Sequence, residues 1–215
     1  TSETLKLLSK NQIAYTVATG RTFHGARTIL EGHRFDLPQA YKNGVMVWHP
    51  EQQRFSNNTT LRASELEGVV QTCLRQGLTP FVFTLDENYQ TIVYYPALQT
   101  EADQVLVQGF CVDDNVTTRP LDELPSDAAV THVNSIGAVD AINLVTQRVE
   151  DEPHLVAYSG LAIEGAQWHW LDIHHSAASK GVAITTLKQL LGFERVICFG
   201  DSDNDLSMFE AADDG

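Results

Sequence analysis

The chain has 215 residues, 43% hydrophobic and 20% charged, an ordinary globular composition with enough apolar side chain for a real core. Its formal net charge is −14; a surface that acidic repels a phosphate backbone and excludes a broad nucleic-acid-binding face. A small phosphorylated substrate stays open, because a cation can reverse the field inside one pocket. The three cysteines, Cys73, Cys111 and Cys198, are widely spaced in apolar stretches, which reads as reduced core thiols of a cytoplasmic protein rather than a disulfide framework or a zinc site. No apolar run approaches the roughly 20 residues that cross a bilayer, so no membrane partner is expected. The opening Thr1-Ser2-Glu3-Thr4 reads as a helix start rather than a signal peptide.

In chain order, Ser2 to Lys10 has the capping and apolar spacing of an amphipathic helix. Ile13 to Ala18 is a short β-branched run that predicts a buried strand ending in Thr19-Gly20-Arg21, followed by a helix over 22–30. Val45 to His49 and Arg54 to Asn57 predict a hairpin around His49-Pro50-Glu51. Residues 64–76 have helical spacing. Pro80 to Leu85 and Thr91 to Tyr95 predict a second hairpin, turning through Asp86-Glu87-Asn88. Residues 100–108 are ambiguous between helix and strand. Beyond them come a strand over 128–134, a helix over 136–150, and strands over 154–158 and 166–173. The α/β pattern then returns, with a helix over 179–191 stopped by Gly192, a buried strand Val196-Ile197-Cys198-Phe199, an acidic loop and a helix from Leu206. The predicted fold class is α/β: a Rossmann-like parallel-sheet core, residues 1–44 and 174–215, interrupted by an inserted α+β domain over 45–173. A domain split in this way often carries its insertion as a lid over a site.

Three short segments could carry chemistry. In Gly200-Asp201-Ser202-Asp203-Asn204-Asp205 an apolar strand runs straight into three carboxylates and an amide. Oxygen donors of this kind suit a hard cation such as Mg²⁺, and ligands of open parallel sheets bind beyond the carboxyl ends of strands. An Asx turn capping the next helix is the plainer reading. A calcium-binding EF-hand loop fails, because its sixth position is Leu206 and its twelfth is Ala212. In Thr19-Gly20-Arg21, a hydroxyl and the following amides can donate to phosphate oxygens, and Arg21 can clamp an anion; a purely structural strand–turn fits the same residues. In Ser179-Lys180-Gly181, the cation opens a helix, where the dipole disfavours it, so Lys180 wants a negative partner; a solvated surface lysine is the alternative. The cluster Trp168-His169-Trp170 with His174-His175 reads as a strand with two dressed faces rather than a metal centre. His24 and His33 have no assignable role.

Together, the strand ending in Thr19-Gly20-Arg21, the later Ser179-Lys180-Gly181 and the Gly200–Asp205 loop resemble the second, third and fourth motifs of haloacid dehalogenase-like hydrolases. Their order and spacing are similar to the Cof-type branch, whose large α+β cap lies between the second and third motifs, and Asn43-Gly44 resembles an Asn-Gly of that branch. The resemblance implies a Mg²⁺-dependent phosphatase of small phosphorylated metabolites that works through an aspartyl-phosphate intermediate. It implies that Thr19 and Gly20 hold phosphoryl oxygens, that Lys180 offsets their charge, and that Asp201 binds Mg²⁺ with Asn204 or Asp205 completing or orienting its shell. Arg21 and Asn43 would contact substrate. It implies no protein partner. The family's nucleophile motif, Asp-x-Asp-Gly-Thr, is absent from these residues, so the expectation is that it lies before Thr1 and that this chain alone is inactive. The rival expectations are a non-catalytic phosphate- and metal-binding module, an inactive fragment of such an enzyme, or another phosphoryl-handling activity such as a mutase.

Overall fold

The computed structural model describes residues 2–57, 59–86, 90–111, 116–162 and 165–215. The chain forms two compact units, one of Thr1–Asn58 with Ala177–Gly215 and the other of Thr59–Ser176.

The first unit opens with helices α1 (Ser2–Lys10) and α2 (Phe23–Leu30). Thr22 caps α2, its hydroxyl accepting from the amide of Gly25 at 2.9 Å. An antiparallel sheet follows, of β1 (Gln39–Tyr41), β2 (Met46–His49) and β3 (Arg54–Asn57). The expected hairpin is therefore present, but it pairs with β1 and lies in the first unit rather than in the insertion. β1 is too short for its alternation to be read from the sequence. Phe23, Tyr41, Trp48 and Phe55 lock α2 onto this sheet, with ring centroids 4.8–5.3 Å apart. The unit ends with α6 (Lys180–Leu191), which Gly192 closes in the left-handed conformation at φ 71°, and α7 (Leu206–Ala211).

Two expected strands of this unit are only outlined. The first run makes one parallel bridge, Ala18 to Ala40, and the second makes one, Ile197 to Asp214. A parallel strand is stabilised by neighbours on both sides, with its faces buried; among the described residues each of these runs pairs on one side only. Apolar side chains that a sheet would bury accordingly stand in solvent: Ile197 is 55% and Phe199 87% exposed.

The second unit is built on a six-stranded sheet of order β6-β5-β4-β7-β9-β8, from β4 (Phe81–Leu85), β5 (Thr91–Tyr95), β6 (Val116–Pro120), β7 (Ala129–Gly137), β8 (Leu155–Leu161) and β9 (His169–His175). The β5–β6 pair is parallel and the others antiparallel. Strand alternation sorts the side chains. Val82, Val133, Leu171 and Ile173 pack against α3 (Ala63–Arg75) and α5 (Val139–Glu150), in one core with Val69, Cys73, Ile142 and Val145. Phe81, Phe83 and Val93 turn to the other face and meet α4 (Glu101–Cys111), the stretch that sequence pattern left ambiguous. The turn expected at Glu87 and Asn88 lies outside the described residues. β6 escapes a sequence reading because Thr117, Thr118, Arg119 and Pro120 carry no apolar alternation; as an edge strand it tolerates both the charge and the proline. Of the aromatic and histidine cluster, Trp170 lies against Gly160 and His174 and His175 are buried on β9. Here His132 stacks on Phe83 at 4.1 Å and comes within 4.0 Å of Asp172.

Candidate active site

The candidate phosphate-, substrate- and metal-binding residues Thr19, Gly20, Arg21, Asn43, Lys180, Asp201, Asn204 and Asp205 all belong to the first unit. Backbone hydrogen bonds bring the first two segments together. The Thr19 amide donates to Ala40 O at 3.0 Å, the Lys42 amide to Arg21 O at 3.0 Å and the Asn43 amide to Thr19 O at 3.0 Å. Asn43 and Gly44 sit in a 3₁₀ turn that follows β1 directly. The Thr19 hydroxyl accepts from the Arg21 amide at 3.2 Å, which folds the segment into a tight turn and leaves the hydroxyl hydrogen available to an acceptor. The Arg21 side chain is exposed.

The second half of the site is an ion pair. Ser179 caps α6, its hydroxyl accepting from the Val182 amide at 3.1 Å, and this places Lys180 at the first helical position. Its ammonium is 5% exposed yet faces the positive end of the helix dipole. Asp205 supplies the missing counter-charge at 2.5 Å, and the side-chain carbonyl of Asn204 accepts a second hydrogen bond at 3.0 Å. The other Asp205 oxygen accepts from the amides of Asp201 and Ser202, both at 3.0 Å. Burial pushes the Asp205 carboxyl up, but the Lys180 ammonium and the Ser202 and Asp201 amides outweigh it and hold the group below the usual carboxylate range. The cap expected from Asp203 or Asn204 on the helix at Leu206 is not formed, since α7 has no side-chain cap bond; Ser202 and Asp205 instead form a reciprocal capping box on the 3₁₀ turn Asp203–Asp205 that precedes it.

Asp201 differs from Asp205 in its surroundings. Its side chain is exposed, and its oxygen accepts only a long bond from the Ser202 hydroxyl, at 3.3 Å. Among the described residues no group of three or more His, Cys, Asp or Glu side chains is placed to hold a metal ion. The donors present are all oxygens, and Asp201 and Asp203 are the exposed loop carboxylates outside the ion pair. Magnesium takes one or two protein carboxylates and completes its shell with water and phosphate oxygen, so this arrangement fits a magnesium ion that is held in part by other groups.

The loop closes over Asp205 only because position 200 has no side chain: a Cβ there would run into the Asp205 carboxylate. Gly200→Ala is expected to cost about 1–3 kcal/mol, as for other overpacked sites, read as a lower urea midpoint with unchanged slope. An unchanged midpoint would mean that the loop is not packed on Asp205.

The sequence missed one link. The side-chain amide of Asn204 donates to Asn43 Oδ1 at 3.1 Å and so ties the acidic loop to the turn after β1. Asn43-Gly44 was a visible turn signal, but nothing local names a partner so far along the chain.

The site gathers a buried lysine, a Thr-Gly turn and an acidic loop within one unit. Comparison with known proteins makes the class definite. The chain matches the haloacid dehalogenase-like hydrolase family over residues 1–215 and belongs to it. It is 26% identical over 206 residues to YxeH of Bacillus subtilis (strain 168), covering 93% of this chain and 72% of that one. It is 24% identical over 228 residues to the 5-amino-6-(5-phospho-D-ribitylamino)uracil phosphatase YitU of the same organism, covering 99% of this chain and 76% of that one. Among solved structures, a haloacid dehalogenase-like hydrolase from B. subtilis superposes with a TM-score of 0.74 at 20% identity, covering 98% of this chain and 79% of that one. One from Bacteroides thetaiotaomicron does so with a TM-score of 0.69 at 18% identity, covering 98% and 77%. The α/β fold is therefore that of this family. Among the described residues no helix is long and apolar enough to cross a membrane.

Proposed function

We propose that this chain is the phosphate- and magnesium-handling part of a cytoplasmic phosphatase for small phosphorylated metabolites, working through an aspartyl-phosphate intermediate. The observation that carries the reading is the buried Lys180 ammonium, fixed by Asn204 and Asp205 beside the Thr19-Gly20 turn. A cation that has been desolvated and pinned in advance stabilises charge gathering on a phosphoryl group without reorganising during the reaction. Family membership and the phosphatase activity of YitU support the same class of chemistry.

In this mechanism the Thr19 hydroxyl and the Gly20 amide donate to phosphoryl oxygens, and the exposed Arg21 meets the rest of the substrate. Asn204 and Asp205 hold Lys180 rather than touch the phosphate. Asp201 is the carboxylate for Mg²⁺, which supplies charge neutralisation at the phosphoryl oxygens when bound. The nucleophile is an aspartate of the full-length protein outside these 215 residues, since Asp-x-Asp-Gly-Thr is absent here. Its carboxylate attacks phosphorus as the bond to the leaving oxygen breaks, and a second carboxylate gives that oxygen its proton. Water then attacks phosphorus, returns a proton to that second carboxylate, and phosphate departs. The single bridges made by Ala18 and Ile197 and the exposed side chains of Ile197 and Phe199 support the placing of this pair on a strand beside them. Cys73 and Cys198 are buried as expected of core thiols whereas Cys111 is exposed, and the three free thiols together support a reducing, cytoplasmic setting.

The test is turnover of a generic phosphomonoester by the full-length protein with magnesium, then with EDTA. The expected result is activity that chelation abolishes and magnesium restores. Full activity in EDTA would sink the magnesium-dependent reading.

A further inference from the structure

We propose that Asn43 is a positioning residue: its side-chain carbonyl sets the orientation of the Asn204 amide and, through it, the place of the Lys180 ammonium. The sequence reading put Asn43 among the substrate contacts; the structure bonds its side-chain carbonyl to Asn204. Asn43 is 2% exposed, and its Oδ1 accepts from Asn204 Nδ2 at 3.1 Å.

The direction of these bonds follows from chemistry alone. An ammonium only donates, so Asn204 must turn its oxygen to Lys180, as it does at 3.0 Å. Its NH₂ then points the other way, and whatever faces it must be an acceptor. Asn43 meets that need with its carbonyl. Without the acceptor the Asn204 NH₂ loses its partner, and the amide is held on this side by its bond to Lys180 alone.

Two further observations fit. Lys42, Asn43 and Gly44 are consecutive left-handed residues, with φ of 48°, 54° and 93°. Left-handed backbone is uncommon for a residue with a side chain, Asn being among those that tolerate it best, and such strain persists where surrounding structure fixes it. Here the Lys42 and Asn43 amides are bonded to Arg21 and Thr19, and Gly44 lies so close to Ser179 that a Cβ would stand 2.5 Å from its carbonyl oxygen. The turn therefore touches the Thr19 segment, the cap of α6 and the acidic loop at once. Second, a Cβ on Gly20 would lie 3.1 Å from Asn43 Oδ1 and 3.3 Å from Asn204 Nδ2. The bare Gly20 is what leaves room for the amide pair.

Asn43→Gly keeps the left-handed backbone, which glycine adopts freely, and deletes the amide. Asn43→Asp keeps an acceptor and the same backbone tolerance. Two readouts apply. In the 215-residue chain, hydrogen exchange of the Asn204 side-chain NH₂, followed by NMR, is expected to be slow in the parent and in Asn43→Asp and fast in Asn43→Gly. In the full-length protein, Asn43→Gly is expected to lower kcat by about ten- to a hundredfold, a typical cost of a misplaced catalytic group, with KM little changed. The kinetic arm rests on the phosphatase reading above and the exchange arm does not, so a parent without turnover refutes that reading and leaves exchange to decide this one. An Asn204 amide equally protected in Asn43→Gly overturns the proposal. So does a raised KM at unchanged kcat, which would make Asn43 a substrate contact.

Discussion

Replacing Lys180 with alanine is expected to destabilise the first unit by about 3–5 kcal/mol, because it strands a buried carboxylate whose partner is gone. Asp205 is 5% exposed, and one of its oxygens depends on this ammonium. In thermal unfolding the loss amounts to a midpoint lower by on the order of 10 °C for a chain of this size. The double variant Lys180→Met/Asp205→Leu is expected to recover part of the loss, since it removes both charges together. It does not recover all of it, because the amides of Asp201 and Ser202 lose their acceptor as well. The pH dependence has a definite sign. Burial opposes the charged form of Asp205, but Lys180 and the two amides win, so its folded-state pKa lies below its unfolded value. The stabilisation is therefore present above the unfolded value of about 3.9 and is lost as pH falls through the depressed one. Urea melts between about pH 5 and pH 2 should show the parent losing more stability than the double variant; parallel curves would mean the pair is not coupled to folding.

The second large effect is all-or-none. The 215-residue chain alone is expected to show no turnover of a phosphomonoester above background, while the full-length protein turns over. In the proposed reading Thr19, Lys180 and Asp201 hold and neutralise the phosphoryl group, and the nucleophile is supplied from outside these residues. Ile197 and Phe199 stand exposed beside strand runs that, among the described residues, each pair on one side only. In the full-length protein these side chains are expected to become protected from hydroxyl-radical footprinting. Magnesium-dependent turnover by the 215 residues alone would refute the placement of the nucleophile elsewhere.

Most of the helices were legible because their ends carry chemistry: Thr22 and Ser179 cap, and Gly192 stops. The site segments were legible for a related reason. Two of them place polar or charged residues where an apolar run ends, and the third opens a helix with a cation, patterns that packing alone does not call for. What escaped was set by distant partners. β1 and β6 are strands because neighbours pair with them, not because of their own alternation. The Val196–Phe199 run shows the converse: its propensity is that of a strand, but with one neighbour it forms a single bridge. The different surroundings of Asp201 and Asp205 were equally hidden. Both are aspartates of one loop, and only folding decides that one is paired with a buried lysine while the other faces solvent.

The measurement that bears most directly on the account is kcat of the Asp201→Ala full-length protein with a phosphomonoester in saturating magnesium. Asp201 is exposed and makes no bond to Lys180 or Asn43 among those found, so the fold should survive its loss, which circular dichroism checks. The expected result is a fall in kcat on the order of 10²–10³, the scale of losing one group that stabilises transition-state charge, with weaker dependence on added magnesium. A folded variant with parental kcat and the parental magnesium response would contradict the claim that this loop holds the metal for phosphoryl transfer.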